Sequence, residues 1–410
     1  MSCCDTTGLL SITDAIERMK TIPSNNKSLL SIEIDSAFGH VLAEDVISSV
    51  QVPPQDNSAM DGYAVNNLGC NDDHVYTIVG NVLAGQVYQD TLGPGECVRI
   101  MTGASIPYGT QAVVMQEYAI AQQQQVTFNK KLTPGAHIRR AGEDIANNQI
   151  ILTAGTVLGA AQLGLLSATG HNTVNVAPPL TVGIFATGDE LLTPKEQPKT
   201  GHIYESNRIV CTSKLRALGC RVIDFGIVAD TKAALIQTFD NAAQQCDIVI
   251  TSGGVSVGDA DFVKEVLVEN GQIDFWKIAI KPGKPFAFGQ YRNKVFFGLP
   301  GNPVASFVTF DVLVAPIIKH MQGQKSTSLM TLTANCHSDI HKRGGRADYQ
   351  RGYVWHDNGQ LNVKSAGAQG SHILSSLSQA NAYIVLNEHQ ETITAGDSVS
   401  VILFDSIYPK

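Results

Sequence analysis

The chain has 410 residues, a length typical of about three domains. Its composition, with 43% hydrophobic and 16% charged residues, is that of a globular protein, and the net charge of −8 argues against general nucleic-acid binding. Eight scattered cysteines without CxxC spacing argue against a disulfide scaffold or a zinc site. We find neither an apolar run long enough to span a bilayer nor a secretory signal pattern, so we predict a cytoplasmic protein.

The beginning of the chain and a later segment together read as a connecting region. Ser11 and the residues that follow it predict a short packing helix with one apolar face. A second helix is predicted over residues 157–168, and Pro178-Pro179 then ends the segment. We therefore predict a helical connector built from residues 1–50 and 141–178.

Between these two parts, short β-rich runs separated by turns predict a small β-dominated domain over residues 51–140. Two of its loops carry polar side chains that strands do not need, Asp61 in DNSAMDGYAV and Thr102 in RIMTGA. Thr102 could instead simply be the residue at which a strand ends. Arg139 begins RRAGEDI, where a surface salt-bridge cluster and a phosphate contact are equally good interpretations.

From residue 179 to residue 321, strand and helix patterns alternate, which predicts βαβ units and a mainly parallel sheet covered on both faces. Acidic residues follow three of the predicted strands at the same sheet edge, namely Glu190, Asp230 and Asp261. Mg²⁺ prefers oxygen ligands, so these three residues are candidate magnesium ligands. One of them, Asp261 especially, could instead be a helix cap.

Three glycine- and proline-rich loops follow strands in the same domain: SGGVSVGDADF, KPGKP and LPGNPV. Free backbone amides in such loops and at helix N-termini favour anions. One loop alone is weak evidence because Gly-Gly is as often a plain turn, but three loops together predict a phosphate or oxyanion site. Its candidate residues are Gly253, Gly254, Ser256, Lys281, Lys284, Pro285, Pro300 and Asn302.

From about residue 322, the helical patterns stop and short strands with glycine turns return. This pattern predicts a small β-barrel or sandwich over residues 322–410. Arg346, Arg351 and Ser371 lie in its loops, where on their own they would be ordinary polar residues.

The six quoted motifs, in their order along the chain, resemble segments of the molybdopterin molybdenumtransferases, the family of bacterial MoeA and the gephyrin E domain. The resemblance runs from about Ser11 to the C-terminus. It implies an α/β multidomain protein. The expected parts are a three-layer parallel-sheet domain of molybdopterin-binding type, an inserted β-rich domain, a helical connector and a C-terminal small β-barrel.

The resemblance also implies a reaction, in which molybdate is inserted into adenylylated molybdopterin and AMP is released, with Mg²⁺ as cofactor. The catalytic residues that it implies are Asp61, Thr102, Glu190, Asp230, Lys277 and Lys281. It adds Arg139, Ser306, Arg346, Arg351 and Ser371 to the substrate-binding residues predicted above. Ala305 stands where relatives often carry serine, so we predict that Ser306 supplies the hydroxyl instead.

Relatives of this family are elongated dimers, which implies a homodimer with active sites shared between subunits. The resemblance is also compatible with contact to the adenylyltransferase that supplies the substrate. Two alternatives are a catalytically weak scaffold or binding module of the same fold, and another transferase or hydrolase of phosphorylated pterins or nucleotides. The sequence does not distinguish molybdate from tungstate.

Overall fold

The structure, a computed structural model, describes residues 9–22, 29–68, 74–255, 262–325 and 328–408. Two predicted site residues, Ser256 and Asp261, lie outside these ranges. The described residues form the expected sequence of connector, β-rich domain, α/β domain and barrel.

The connector contains both strands and a helix around a small core. Its antiparallel strand pairs are Leu30–Glu33 with Thr173–Val176, and Val46–Ile47 with Ile150–Leu152. The helix Ala160–Ala168 and the 3₁₀ turn Ile34–Ser36 complete it. Leu42, Leu158, Leu166 and Val176 are buried between them. The two strand pairs add to the helix predicted for the connector, and they hold together the chain segments on either side of the β-rich domain.

The β-rich domain is built on one six-stranded sheet. In spatial order its strands are Ala112–Met115, Gly62–Val65, Glu96–Ile100, Tyr76–Val82, Gln125–Phe128 and Ala119–Gln122. The pair Asn57–Ser58 with Ile138–Arg139 and the 3₁₀ turn Gln116–Tyr118 lie beside it. A side chain at Gly62 would place its Cβ 1.9 Å from the carbonyl oxygen of Val114. The strand after Asp61 therefore needs glycine at its first position.

The α/β domain has a six-stranded sheet that is parallel in one half and antiparallel in the other. Its strands, in spatial order, are Arg221–Val228, Thr181–Thr187, Ile248–Ser252, Lys294–Leu299, Pro285–Tyr291 and Gly271–Lys277. The first four are parallel, and Pro285–Tyr291 is antiparallel to both of its neighbours, Lys294–Leu299 and Gly271–Lys277. Arg292-Asn293, with φ values of 46° and 65°, form the tight two-residue connection of a hairpin. The hairpin makes the sheet mixed, but the sheet remains mainly parallel, as predicted from the sequence.

Helices cover both faces of this sheet, which gives the predicted three layers. One face packs against Ile12–Met19, Asn207–Ala217 and the long helical run that begins at Pro303. The other face packs against Lys232–Gln245 and Phe262–Asn270. The long run comprises Pro303–Thr309, a π-helical turn Phe310–Val314 and Ala315–Met321.

We found no apolar run long enough to span a bilayer in the sequence, but the helical run Pro303–Met321 is 19 residues long with a mean hydropathy of 1.5, so its length and composition alone would allow it to cross a membrane. However, 83% of it is buried inside the protein. The run Pro303–Met321 is therefore a helix of the protein core.

The C-terminal domain is a closed five-stranded barrel. Its strands, in spatial order, are Ala347–Asp357, Gln360–Ser365, Leu332–Cys336, Ser398–Leu403 and Ala382–Leu386, and the last pairs with the first. The smaller elements are Ile340–His341 with Thr392–Ile393, the helix Ser375–Gln379 and the 3₁₀ turn Phe404–Ser406. Strand Ile280–Lys281 of the α/β domain extends the barrel sheet by pairing with Ala347–Asp357. This pairing joins the two domains beside the KPGKP loop.

Candidate active site

A cleft of about 1090 Å³ lies between the α/β domain and the barrel. It opens at the carboxyl ends of the parallel strands, where ligands bind in open α/β sheets. Its predicted site residues are Glu190, Asp230, Gly253, Gly254, Lys281, Lys284, Pro285, Pro300, Asn302, Arg346 and Ser371. Most of the site predicted from the loops and strand ends is therefore brought together in one place.

The Gly253-Gly254 loop requires glycine for two reasons. Both residues have positive φ values, 91° and 67°. A Cβ on Gly253 would also lie 2.4 Å from the carbonyl oxygen of Thr187 on the neighbouring strand. The loop thus lies directly against the adjacent strand end, with its backbone close to the cleft.

Positive charge reaches the cleft from Lys281, Lys284 and Arg346. The Lys281 ammonium lies 3.0 Å from Oδ2 of Asp348, its partner in the inter-domain strand pair. The Asp348 carboxylate is buried and also accepts a hydrogen bond from Gln350. The Lys281 side chain is 48% exposed, so Asp348 orients the cation while leaving it accessible to a ligand.

Two carboxylates, Glu190 and Asp230, also line the cleft. Burial raises the pKa of Asp230, and the negative charges of Asp189 and Glu190 raise it further, while a hydrogen bond from Thr187 opposes them. A hard cation would relieve this repulsion between carboxylates, so the pair fits Mg²⁺. Within the described ranges, no group of three or more His, Cys, Asp or Glu residues is placed to hold a metal. The predicted third ligand, Asp261, lies outside them.

Asp61 and Thr102 form a compact pair on the surface of the β-rich domain. The backbone amide and the hydroxyl of Thr102 both donate to Oδ1 of Asp61, each at 2.7 Å. These two hydrogen bonds lower the pKa of Asp61, and the bond from the amide has the larger effect. Neither residue lines the cleft, whose described lining residues all lie between residues 186 and 374.

We expect Thr102→Val to raise the pKa of Asp61 toward its ordinary value without unfolding the domain. Valine keeps the shape and the backbone amide but removes the hydroxyl donor, which is the second cause of the lowered pKa. Thr110→Val, which removes a hydroxyl bonded only to the carbonyl of Pro107, is the control. A carboxyl NMR titration would measure the pKa of Asp61 in both variants. An unchanged pKa in Thr102→Val would contradict the role of the Thr102 hydroxyl in lowering it.

The prediction that Ser306 supplies a hydroxyl to the cleft is wrong. Ser306 is buried, and its Oγ lies 3.9 Å from Sγ of Cys211, whereas Ala305 lines the cleft. Successive residues of a helix point about 100° apart, so adjacent positions cannot substitute for each other.

Arg351 is also placed differently from the prediction. It is 1% exposed, and its guanidinium donates to Oγ of Ser376 and to the carbonyls of Ala368 and Gly370. It supports the loop that carries Ser371 rather than lining the cleft itself. This buried arginine therefore acts on the cleft only through that loop.

Lys277 and Arg139 also lie outside the lining of the cleft. Lys277 is exposed at the end of its strand, where its carbonyl accepts a hydrogen bond from the amide of Leu10. Arg139 is exposed on the β-rich domain, and its neighbour Arg140 forms the ion pair with Asp56.

Sequence patterns missed several residues that line the cleft, among them Tyr204, Asn207, Asp348 and Gln369. Asn207 is the first residue of the helix Asn207–Ala217. Asp348 lies in the strand Ala347–Asp357, and Gln369 lies between Gly367 and Gly370 in the loop that carries Ser371. Their positions follow from the packing of the barrel on the α/β domain.

Three family models match the chain, and together they span most of it. The MoeA N-terminal region (domain I and II) matches residues 10–170, the probable molybdopterin binding domain matches residues 183–320, and the MoeA C-terminal region (domain IV) matches residues 333–404. The first match spans the connector and the β-rich domain, the second the α/β domain and the third the barrel.

Curated relatives and solved structures agree with these matches. The molybdopterin molybdenumtransferase of Haemophilus influenzae is 42% identical over 379 residues, covering 92% of this chain and 94% of that protein. The enzyme of the same name from a Nostoc species is 35% identical, covering 90% of this chain and 88% of that protein. The crystal structure of the molybdopterin biosynthesis moeA protein from Pyrococcus horikoshii OT3 matches with a TM-score of 0.84 at 28% identity, covering 97% of this chain and all of that one.

Proposed function

The chain belongs to the molybdopterin molybdenumtransferase family, and from this membership we propose that its cleft inserts molybdate into adenylylated molybdopterin with release of AMP. The chain is thus a transferase of molybdenum cofactor biosynthesis. The observation that supports the reaction best is the convergence of three rigid loops and three cations on one cleft at the strand ends.

The described residues suit an anionic substrate with a phosphoanhydride. The Gly253 amide donates to the carbonyl of Leu299, and the glycine backbone lets the next amide, that of Gly254, approach an oxyanion closely. Lys281, Lys284 and Arg346 balance the charge of phosphate and molybdate oxygens. Tyr204 gives the same cleft an aromatic wall, which suits a pterin or adenine ring.

We further propose that Mg²⁺ is held at the acidic part of the cleft by Glu190 and Asp230, with Asp261 as the third ligand expected from sequence. When bound, Mg²⁺ would polarise the phosphoanhydride. The raised pKa of Asp230 beside Asp189 and Glu190 supports a cation at this position.

Incubation of the protein with adenylylated molybdopterin, with and without molybdate and Mg²⁺, tests this function. AMP released only when molybdate and Mg²⁺ are both present supports the proposal. AMP release without molybdate would instead identify a hydrolase. Binding without any release would identify a scaffold, an alternative favoured by one observation: Ala305 lines the cleft and brings no hydroxyl to it.

Lys281→Ala should weaken binding of AMP and molybdate roughly tenfold at low salt, with a smaller effect at high salt, because an accessible point charge is lost. Lys364→Ala removes an equal charge from the barrel surface and should leave binding unchanged. Calorimetric titration at two salt concentrations measures the affinities of both variants for AMP and molybdate. Equal affinities for wild type and Lys281→Ala would leave KPGKP as a stiff loop without a binding role.

We also propose that the protein is cytoplasmic and forms a homodimer with active sites shared between its subunits. We further propose that it receives its substrate by contact with the adenylyltransferase. The exposed Asp61 and Thr102 pair supports shared sites, because two residues with implied catalytic roles lie apart from the described cleft lining of their own chain.

A further inference from the structure

Asn207 connects three elements of the cleft through one side chain. It is the first residue of the helix Asn207–Ala217 and is only 8% exposed. Its Nδ2 donates to Oγ of Ser252 at 2.7 Å and to the carbonyl oxygen of Gly301 at 2.8 Å. Both hydrogens of the amide are therefore used.

The two acceptors belong to two of the three predicted anion-binding loops. Ser252 ends the strand Ile248–Ser252 and immediately precedes Gly253-Gly254. Gly301 lies in the LPGNPV loop, whose backbone passes close to the first loop: a Cβ on Gly301 would be 3.9 Å from Cα of Gly253. The strands that lead into the two loops pair with each other, Ser252 with Leu299, and the amide of Gly253 also donates to the carbonyl of Leu299 at 3.1 Å.

We propose that Asn207 is a positioning residue for the transfer reaction, which fixes the Gly253-Gly254 loop and the LPGNPV loop relative to each other. This inference rests on the proposed function. A neutral amide suits the position because it offers two donors without placing a negative charge beside an anionic substrate. Loops held in place before the substrate arrives need no ordering when it binds.

Asn207→Leu keeps the branched shape of the side chain and removes both donors, while Asn207→Ser keeps one donor. Asn241→Leu, the same substitution at an exposed position of the helix Lys232–Gln245, is the matched control. Amide hydrogen exchange of the ligand-free proteins is the first measurement. We expect exchange in peptides covering residues 252–255 and 299–303 to be roughly tenfold faster in Asn207→Leu, less so in Asn207→Ser and unchanged in the control.

The second measurement is the steady-state kinetics of AMP release. Because a small misplacement of binding groups can cost about 10²-fold in rate, we expect kcat to fall roughly 10- to 100-fold in Asn207→Leu with a smaller change in KM. Asn207→Ser should recover part of kcat. If Asn207→Leu fails to fold, the exchange and kcat of Asn207→Ser decide the question.

Unchanged exchange in both loops would overturn the proposal, as would faster exchange with wild-type kcat. A higher KM alone, with loops as protected as in wild type, would also overturn it, since Asn207 would then act by direct contact with the substrate. If the wild-type protein releases no AMP, the proposed function fails, and the exchange result alone decides whether Asn207 holds the loops together.

Discussion

Asp311→Ala is expected to lower the free energy of unfolding by about 3–5 kcal/mol, the loss typical of removing one partner from a buried ion pair. Asp311 is fully buried on the π-helical turn of the core helix run. Its Oδ1 accepts from the Lys214 ammonium at 2.7 Å and from the Tyr408 hydroxyl, and its Oδ2 accepts from the Tyr383 hydroxyl at 2.7 Å.

The size of this effect follows from the groups that the substitution leaves behind. Burial lowers the pKa of Lys214, and the Asp311 carboxylate opposes that shift. Without the carboxylate, Lys214 is a buried cation whose remaining described hydrogen bond is to the carbonyl of Phe307. Tyr383 and Tyr408 lose a charged acceptor at the same time, which loosens the contact between the α/β domain and the barrel.

Urea unfolding would measure the loss, and two variants serve as comparisons. Asp240→Ala removes a carboxylate that also binds a tyrosine and a cation, but its partner Arg292 is 56% exposed, so a smaller loss is expected. Adding Lys214→Met to Asp311→Ala should recover part of the stability because no buried charge is left unpaired. A loss below about 1 kcal/mol for Asp311→Ala would contradict this account of the network.

Heterodimers of Asp61→Asn with Lys281→Ala are expected to regain about half of the wild-type AMP release, although we expect each parent homodimer to have lost most of it. If each cleft uses the β-rich domain of one chain and the α/β domain of the other, one cleft carries both substitutions and the other carries neither. A cleft built within one chain would always keep one substitution. Activity of the purified heterodimer, measured after refolding of differently tagged chains, separates the two arrangements.

The reciprocal experiment pairs a wild-type chain with a chain that carries both substitutions. Shared sites predict an inactive heterodimer, since each cleft then has one substituted residue. Sites within one chain predict about half of the wild-type activity. Recovery in this second heterodimer but not in the first would show that the sites are not shared.

The sequence by itself determined the order of domains and the loops that form the cleft, because these depend on local backbone preferences. Glycines at positions 253 and 254 are required by positive φ values and a close neighbouring strand. The alternation of strand and helix patterns indicated the three-layer domain, and the similarity to the Pyrococcus horikoshii structure confirms the fold class. The hairpin of Pro285–Tyr291 and Lys294–Leu299 was not predicted from the sequence, since an alternating pattern does not specify strand direction.

Only the tertiary structure decided which polar side chains face the cleft and which partners they have. The ion pair of Lys281 and Asp348 joins residues 67 positions apart, and Lys214 and Asp311 are 97 positions apart. Ala305 and Ser306 are neighbours in sequence, yet one lines the cleft and the other faces Cys211. Sequence patterns report local conformation and burial, whereas these pairings depend on how separate elements pack and on the direction in which each residue of a helix points.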